Sequence, residues 1–465
     1  MDGRTLRLGD SRLIETDDPV GLAAGLRALT RSRPVDAVPG DGTLLVRGGG
    51  PLPDELPHVA VPGHEHVVPV VYDGADLESF GLPADEVVAR HTAVPYRVAF
   101  LGFSPGFAYL DGLDPALHLP RLDAPRPSVP ALSVAVAGAR TCIYPTASPG
   151  GWRLLGRAVG ITPFRPDADP PALFAPGDTV RFVAVRDRVE TTATRPARPP
   201  VRDGVRVLDG GPQTVVVARP RVGYAHLGVP WSGALDPRCW HRANLLVGNE
   251  GEVPALEAVF RGPHLDLGGR RAAIVWPGGE RVVTDGDLRR LPAWRCWIGL
   301  EGGIRVDPVL GSATSDTLGG LGPPPLRPGD GLPVRGEDGQ RSDKAAFTAT
   351  HPVEAPAAEL VLALEPGPDA HLLERACGTW TVDPRSDRTA LRLAGDASPH
   401  DAPTRTVGLV PGAVQLPPGG QPVVFLAGHP TTGGYPLVGW VRDHRALFEA
   451  AQLRPGRTVT LLGDS

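Results

Sequence analysis

Two stretches of this chain end in the same way, and that constrains its fold more than any other feature. Gly150-Gly-Trp-Arg-Leu-Leu-Gly156 and Gly433-Gly-Tyr-Pro-Leu-Val-Gly439 agree in residue type at nearly every position. Each is followed by a Pro-Gly-x-Thr-Val run, Pro176-Gly-Asp-Thr-Val180 in one case and Pro455-Gly-Arg-Thr-Val459 in the other. Shared order and similar spacing point to two copies of one β-barrel fold whose loops are decorated differently. The glycines and prolines, 59 and 54 of them, lie among Val, Leu and Ile rather than in low-complexity tracts, which favours short strands joined by tight turns.

At 465 residues the chain should hold two or three domains. Residues 1–60 read as a small α/β unit. Asp18-Pro19 makes an N-cap and first-turn pair ahead of Leu22, Leu26 and Leu29, and a strand follows at Thr43 to Arg47. From 61 to 190 the pattern is of short strands, Val67 to Tyr72, Val98 to Phe103, Ser133 to Ala137 and Thr179 to Val185, interrupted by a helix at Ala84 to Arg90. Residues 191–204 carry Pro and Arg without apolar periodicity and read as a linker. A second β-rich unit at 205–465 includes helices from Asp236-Pro237 to near Gly248 and from Arg442 to Leu453.

Composition narrows the partners. A net charge of −5 with no basic cluster argues against nucleic acid and acidic membrane surfaces, and leaves a small solute or a protein. No apolar run reaches the roughly 18 residues of a membrane span, and the N-terminus is charged rather than signal-like. Cys142, Cys239, Cys296 and Cys377 are widely separated, so reduced thiols in a cytoplasmic protein are expected. The chain has a single lysine, Lys344, in Arg341-Ser-Asp-Lys-Ala. That setting excludes a Walker A loop, a biotin attachment site and a Ser-Ser-Lys amidase, so any ATP phosphates must be held by arginines, backbone amides and helix N-termini.

Several motifs carry chemistry. Val98-Ala-Phe-Leu-Gly-Phe-Ser104-Pro-Gly-Phe-Ala-Tyr-Leu110 runs an apolar strand into a Ser-Pro-Gly turn, and Ser148-Pro-Gly-Gly-Trp-Arg-Leu-Leu-Gly-Arg157 offers a second. Such turns place a hydroxyl and bare amides at an exposed corner. Ser104 could be a nucleophile or an ordinary turn residue; it lacks the G-x-S-x-G elbow, and the preferred role is hydrogen bonding to a carboxylate, amide or phosphate. His91, in His91-Thr-Ala-Val-Pro-Tyr96, could be a general base or a helix-terminal histidine. Trp152 reads as core. Gly228-Val-Pro-Trp-Ser-Gly-Ala-Leu-Asp236 contributes Ser232, while Asp236 suits an N-cap. Glu257, in an apolar stretch, must be paired or protonated if buried, either as an acid/base group or in an ion pair. Thr431-Thr-Gly-Gly-Tyr435, with His429 beside it, could cradle an oxyanion or phosphate, or form a solvated hairpin. No spacing of His, Cys or carboxylates favours a metal, His64-Glu-His66 included.

These motifs resemble two known families joined head to tail. Residues about 1–190 resemble the 5-oxoprolinase B subunit, a family also known as the first allophanate hydrolase subunit or the sporulation-kinase inhibitor family. The likeness is carried by His91-Thr-Ala-x-x-Tyr96, Phe100 to Leu110, Tyr144-Pro145 and Ser148 to Gly156. Residues about 205–465 resemble the 5-oxoprolinase C subunit, the biotin-dependent carboxyltransferase-like family. Here the carriers are Gly228 to Asp236, Ala243-Asn-Leu-Leu-Val-Gly-Asn249, Glu257, Gly262-Pro263, Val410-Pro-Gly-Ala-Val-Gln415 and Thr431 to Pro436.

The resemblance implies a mainly β protein: two cyclophilin-like β-barrels in tandem behind the small α/β domain. It also implies an ATP-dependent opening of 5-oxoproline to glutamate, with ATP and Mg as cosubstrate, no biotin on this chain, and a separate A subunit of the LamB/YcsF type as partner. A homo-oligomer is expected. Urea or allophanate-type chemistry and histidine-kinase binding are the alternatives. Motifs and resemblance together give His91, Ser104 and Glu257 as catalytic candidates. The binding candidates are Tyr96, Pro105, Gly106, Ser148, Gly150, Gly151, Ser232, Asp236, Asn244, Thr431, Thr432, Gly433, Gly434 and Tyr435.

The sequence departs from the family pattern at four places. Val217-Ala-Arg-Pro-Arg221 replaces Gln-Asp-x-Gly-Arg, and Thr406-Val-Gly408 replaces Ser-Glu-Gly. Leu132 and Cys142 each stand where the family has Gly. The fold should survive all of these changes, while substrate or activity could alter.

Overall fold

The computed structural model describes residues 5–8, 10–30, 35–48, 52, 57–122, 124–186, 204–249, 252–334, 353–355, 357 and 359–463. The expected linker, apart from Gly204, and Lys344 lie outside them. The chain is mainly β, and its sheets include two closed barrels of seven strands each.

The N-terminal sheet pairs Thr5–Leu8, Ser11–Glu15, Thr43–Gly48 and Val35–Gly40 in that order, and the helix Pro19–Leu29 packs on one face. Asp18 caps the helix by accepting the Gly21 amide at 2.8 Å, and Pro19 takes a position that needs no donor. Leu22, Ala23 and Leu26 meet Ile14, Ala37, Leu44 and Val46 in a core of their own.

The first barrel runs Arg140–Ile143, Ala108–Asp111, Tyr96–Leu101, Thr179–Ala184, Glu65–Val71, Arg153–Ala158 and Ser133–Ala137, closing on itself. The second runs Leu360–Pro366, Leu437–Val441, Ala413–Gln415, Val423–Phe425, Ala390–Ala394, Gly378–Val382 and Thr458–Gly463. Alternation drives both: Leu360, Leu362 and Leu364 point inward while Val361 between them is exposed. In each barrel the first and last strands pair in parallel, Glu65–Val71 with Thr179–Ala184 and Leu360–Pro366 with Thr458–Gly463. The repeated motifs occupy equivalent places. Gly-Gly-Trp and Gly-Gly-Tyr each lead into the strand that pairs antiparallel with the first, and Pro-Gly-x-Thr-Val opens the last.

The second half is not one barrel spanning 205–465. Residues 204–333 build two further sheets. One has the order Gln213–Val217, Ala255–Val259, Arg295–Leu300, Ala272–Trp276 and Gly279–Val283, and in the other Gly204–Asp209 lies between His264–Asp266 and Gly331–Pro333. The reason lies in Arg295–Leu300, which is buried at every position, as a strand covered on both faces must be. The helix Pro237–Leu246 lies so close that a Cβ on Gly299 would stand 2.2 Å from the Ala243 carbonyl oxygen. Among the described residues no helix is long and apolar enough to cross a membrane.

Candidate functional site at the junction of the two halves

Strand Tyr96–Leu101 leaves the first barrel through Gly102 and Phe103 into the Ser104-Pro105-Gly106 turn, and this turn is clasped by the second half. The Gly106 amide donates to the Leu227 carbonyl at 2.9 Å, and the Ser104 amide to the Gly102 carbonyl at 2.7 Å. Thr432 Oγ1 accepts the Phe103 amide at 2.9 Å and lies 3.3 Å from the Tyr109 hydroxyl. Glycines make the approach possible. A Cβ on Gly228 would stand 2.1 Å from the Ser104 carbonyl oxygen, and one on Gly319 would stand 2.4 Å from Pro105 Cδ. The turn therefore spends the Gly106 amide on the junction and the Ser104 amide within its own loop, unlike the bare corner expected from sequence, while its hydroxyl has no partner among the described residues.

That hydroxyl has company. Ser104 Oγ, Ser232 Oγ, Thr431 Oγ1 and His429 Nε2 are all buried without a hydrogen-bond partner among the described residues. Leaving such a group unsatisfied costs about 1–3 kcal/mol, so each calls for a ligand or water. Arg47 links two of these segments. The guanidinium of Arg47 stacks 3.3 Å over Trp231, the neighbour of Ser232, and the same guanidinium acts electrostatically on His429. Trp231 is fixed in turn by donating to Asp36, which also accepts the amides of Gly223 (3.1 Å) and Ala225 (2.9 Å). Phe103 and Ser232 both hold left-handed backbone, at φ 60° and 54°. Strain of that kind in residues other than glycine gathers at functional sites.

His429 Nδ1 lies 2.7 Å from the Pro430 carbonyl oxygen, which assigns the ring hydrogen to Nδ1 and leaves Nε2 a bare acceptor. Burial, reinforced by Arg47, pushes its pKa down to about 4, so the imidazole is neutral at physiological pH. Asp316 lies beside the turn, since a Cβ on Gly319 would meet both its carboxylate and Pro105 at 2.4 Å. Its carboxylate accepts the Leu318 and Gly319 amides, each at 3.0 Å, and burial outweighs these bonds to hold its pKa above the usual range.

Other candidates from the sequence lie elsewhere. His91 fills the first barrel, with Nδ1 2.7 Å from the Tyr72 hydroxyl, Nε2 2.9 Å from Thr141 Oγ1 and its ring stacked on Phe182. Burial pushes its pKa down to about 3. Tyr96 donates to the His91 carbonyl at 2.8 Å. Glu257 is fully engaged: Oε1 takes Arg388 and Arg295 (3.0 Å), and Oε2 takes the Leu235 amide (3.0 Å) and Trp297 Nε1 (3.1 Å). Burial raises its pKa, but Arg388 and Arg295 outweigh burial and hold it below the ordinary value. Asp236 caps its helix by accepting the Arg238 amide at 3.0 Å. Asn244 donates to the Val253 carbonyl at 2.8 Å and accepts from Asn249 at 3.1 Å. The loops holding Ser148, Gly150 and Gly151 and holding Gly433, Gly434 and Tyr435 flank Arg121.

Nothing in the sequence pattern singles out Asp36 or Arg121, and His429 stands out there only as a neighbour of the threonines. Asp316 does have a signal, since Gly311-Ser-Ala-Thr-Ser-Asp-Thr-Leu-Gly-Gly320 has the same small and hydroxyl-rich character as the Ser104 and Thr431 motifs. Among the described residues no three His, Cys, Asp or Glu side chains gather as a metal site.

Comparison with known proteins agrees with this two-part build. Residues 53–174 match the carboxyltransferase domain, subdomains C and D, and residues 227–296 and 287–462 match the carboxyltransferase domain, subdomains A and B. The chain belongs to the carboxyltransferase-domain family. Within this family, the 5-oxoprolinase B subunit of Escherichia coli O157:H7 is 47% identical over 129 residues, covering 26% of this chain and 59% of that protein. The chain thus spans less than two thirds of that relative's length. The 5-oxoprolinase C subunit of Escherichia coli strain K12 is 29% identical over 284 residues, covering 55% of this chain and 89% of that protein. The crystal structure of TTHA0988 in space group P212121 superposes with a TM-score of 0.76 at 33% identity, covering 99% of both chains. The order of the carboxyltransferase subdomains, C and D before A and B, puts the Ser104 turn in the first match and Ser232, His429, Thr431 and Asp316 in the second.

Proposed function

We propose that this chain is the fused B and C component of an ATP-dependent 5-oxoprolinase, which works with a separate A subunit to open 5-oxoproline to glutamate. One observation carries the reading. Relatives named as two subunits of a single enzyme match consecutive parts of this chain, and the second part clasps the Ser104 turn of the first.

The chemistry suits such a junction. A lactam is a poor electrophile, and phosphorylation of its oxygen by ATP creates a leaving group that water can displace. The work left to the protein is positioning and charge stabilisation. Ser104, Ser232 and Thr431 offer hydroxyls that can donate to a lactam oxygen or accept from its N–H. His429 Nε2, neutral and without a hydrogen, can accept a proton from an attacking water. Arginines and backbone amides take the nucleotide phosphates.

The test is glutamate formation from 5-oxoproline and ATP by the chain mixed with its cognate A subunit, with each component omitted in turn. Glutamate in the full mixture alone supports the reading. Binding of the A subunit with no glutamate overturns it and directs the screen to other lactams and amides, with the departures at Val217 to Arg221 and Val407 as the first explanation.

A further inference from the structure

Among the described residues, Arg121 is a cation without an anion. The residue is partly buried, with its Cβ beside Gly151 of one Gly-Gly loop and its guanidinium beside Gly434 of the other. On one side, the Leu122 amide donates to the Gly151 carbonyl at 2.7 Å. On the other, a Cβ on Gly434 would stand 2.3 Å from an Arg121 terminal nitrogen, and the Tyr435 ring centroid is 5.2 Å from Cζ.

The described surroundings hold no compensating charge. The field of Arg121 reaches Tyr109, Tyr144 and Cys142, and burial keeps all three in their neutral forms. Arg140, whose field also reaches Tyr109, is matched by Asp41 at 2.5 Å and Asp111 at 2.6 Å. Among the described residues no carboxylate pairs with Arg121. Ser148, two residues before Gly150 in the facing loop, is 4% exposed and its hydroxyl has no partner among the described residues. Gly150 itself is pressed against the Tyr144 hydroxyl, where a Cβ would come within 2.3 Å.

We propose that Arg121, with Ser148 and the Gly433-Gly434-Tyr435 loop, forms an anion subsite that binds the carboxylate of a small-molecule substrate. One positive charge without a counterion among the described residues, set among neutral phenols and a thiol, matches a monoanion rather than a polyphosphate. A guanidinium fork fits a carboxylate with two parallel hydrogen bonds, and the ring of Tyr435 stiffens it. The glycine at 434 leaves the space that the guanidinium occupies. The choice of 5-oxoproline as the probe rests on the oxoprolinase reading; the subsite does not.

The experiment is calorimetric titration of the full chain, alone and mixed with the A subunit, with 5-oxoproline, with 2-pyrrolidinone (the same lactam without its carboxylate) and with ATP. Wild type should prefer 5-oxoproline over 2-pyrrolidinone by roughly tenfold or more. Arg121→Gln should abolish that preference without altering 2-pyrrolidinone binding, and Arg121→Lys should restore part of it. Gly434→Ala, which displaces the guanidinium and keeps its charge, should act like Arg121→Gln and guards against a folding defect in the latter. An unchanged preference in both variants, a loss confined to ATP, or no binding of 5-oxoproline by the wild-type mixture overturns the subsite. Glutamate formation separates the two readings. Turnover unaffected by Arg121→Gln sinks the subsite alone, whereas a retained carboxylate preference without any glutamate sinks the oxoprolinase alone.

Discussion

Thr432 accepts the backbone amide of Phe103 at 2.9 Å, so one hydroxyl from the second half holds the strained corner of the first. Thr432→Val keeps the shape and removes the acceptor, leaving a buried N–H unsatisfied. Stability should fall by about 1–3 kcal/mol in urea denaturation, and the Phe103 amide should lose hydrogen-exchange protection. A change below about 0.5 kcal/mol would mean that water takes over the bond.

Glu257 is held by two buried guanidiniums, and removal of its charge leaves both uncompensated. Glu257→Gln should cost about 3–5 kcal/mol at pH 7. The pH sign follows from its lowered folded pKa. The carboxylate contributes above its unfolded value of about 4.3 and loses that contribution as pH falls through the lower folded value, so wild type and variant should converge in acid. A carboxylate that reacts with substrate would show the reverse: turnover lost with stability intact.

The repeat is legible in the sequence because its Gly-Gly and Pro-Gly-x-Thr-Val runs sit at strand entries, where backbone geometry restricts the residue type. The departure at Leu132 is legible too, and the structure shows the backbone that it occupies. That residue holds φ 64°, a left-handed conformation that suits the family's glycine, and the fold keeps it with leucine in place. The split of the second half is not legible, because a strand such as Arg295–Leu300 reads the same in a barrel as in a sheet covered by a helix. The sites of Arg121 and His429 are hidden for a different reason. Arg121 matters because Gly434 lies against it, and His429 because Arg47 acts on it; such pairings exist only once the halves meet.

Two buried histidines and a half-buried one make the fold sensitive to mild acid. Burial pushes His91 and His226 down to about 3 and His429 to about 4, whereas in the unfolded chain each titrates near 6.5. Between those values the unfolded state binds more protons, so stability is full above about pH 6.5 and falls as pH drops toward 4. His91→Gln should flatten the slope by about 1.4 kcal/mol per pH unit within that window. Urea denaturation at a series of pH values measures it, and an unchanged slope would show that His91 is protonated in the folded barrel.

The hydroxyl of Ser104 separates a binding group from a structural one. A buried hydroxyl that bonds to protein costs stability when it is removed; one with no protein partner costs nothing, because its absence relieves an unsatisfied group. Ser104→Ala should therefore leave the denaturation midpoint unchanged or slightly raised. Thr431→Val should behave in the same way. In the mixture with the A subunit both should reduce glutamate formation by about tenfold, roughly one lost hydrogen bond to a reacting group, through kcat/KM. His429→Gln carries the stronger expectation. The substituted amide would retain an acceptor but no proton-accepting nitrogen, so turnover should fall by about 100-fold while KM changes little. Equal losses of stability and activity in Ser104→Ala would return that hydroxyl to the junction's framework.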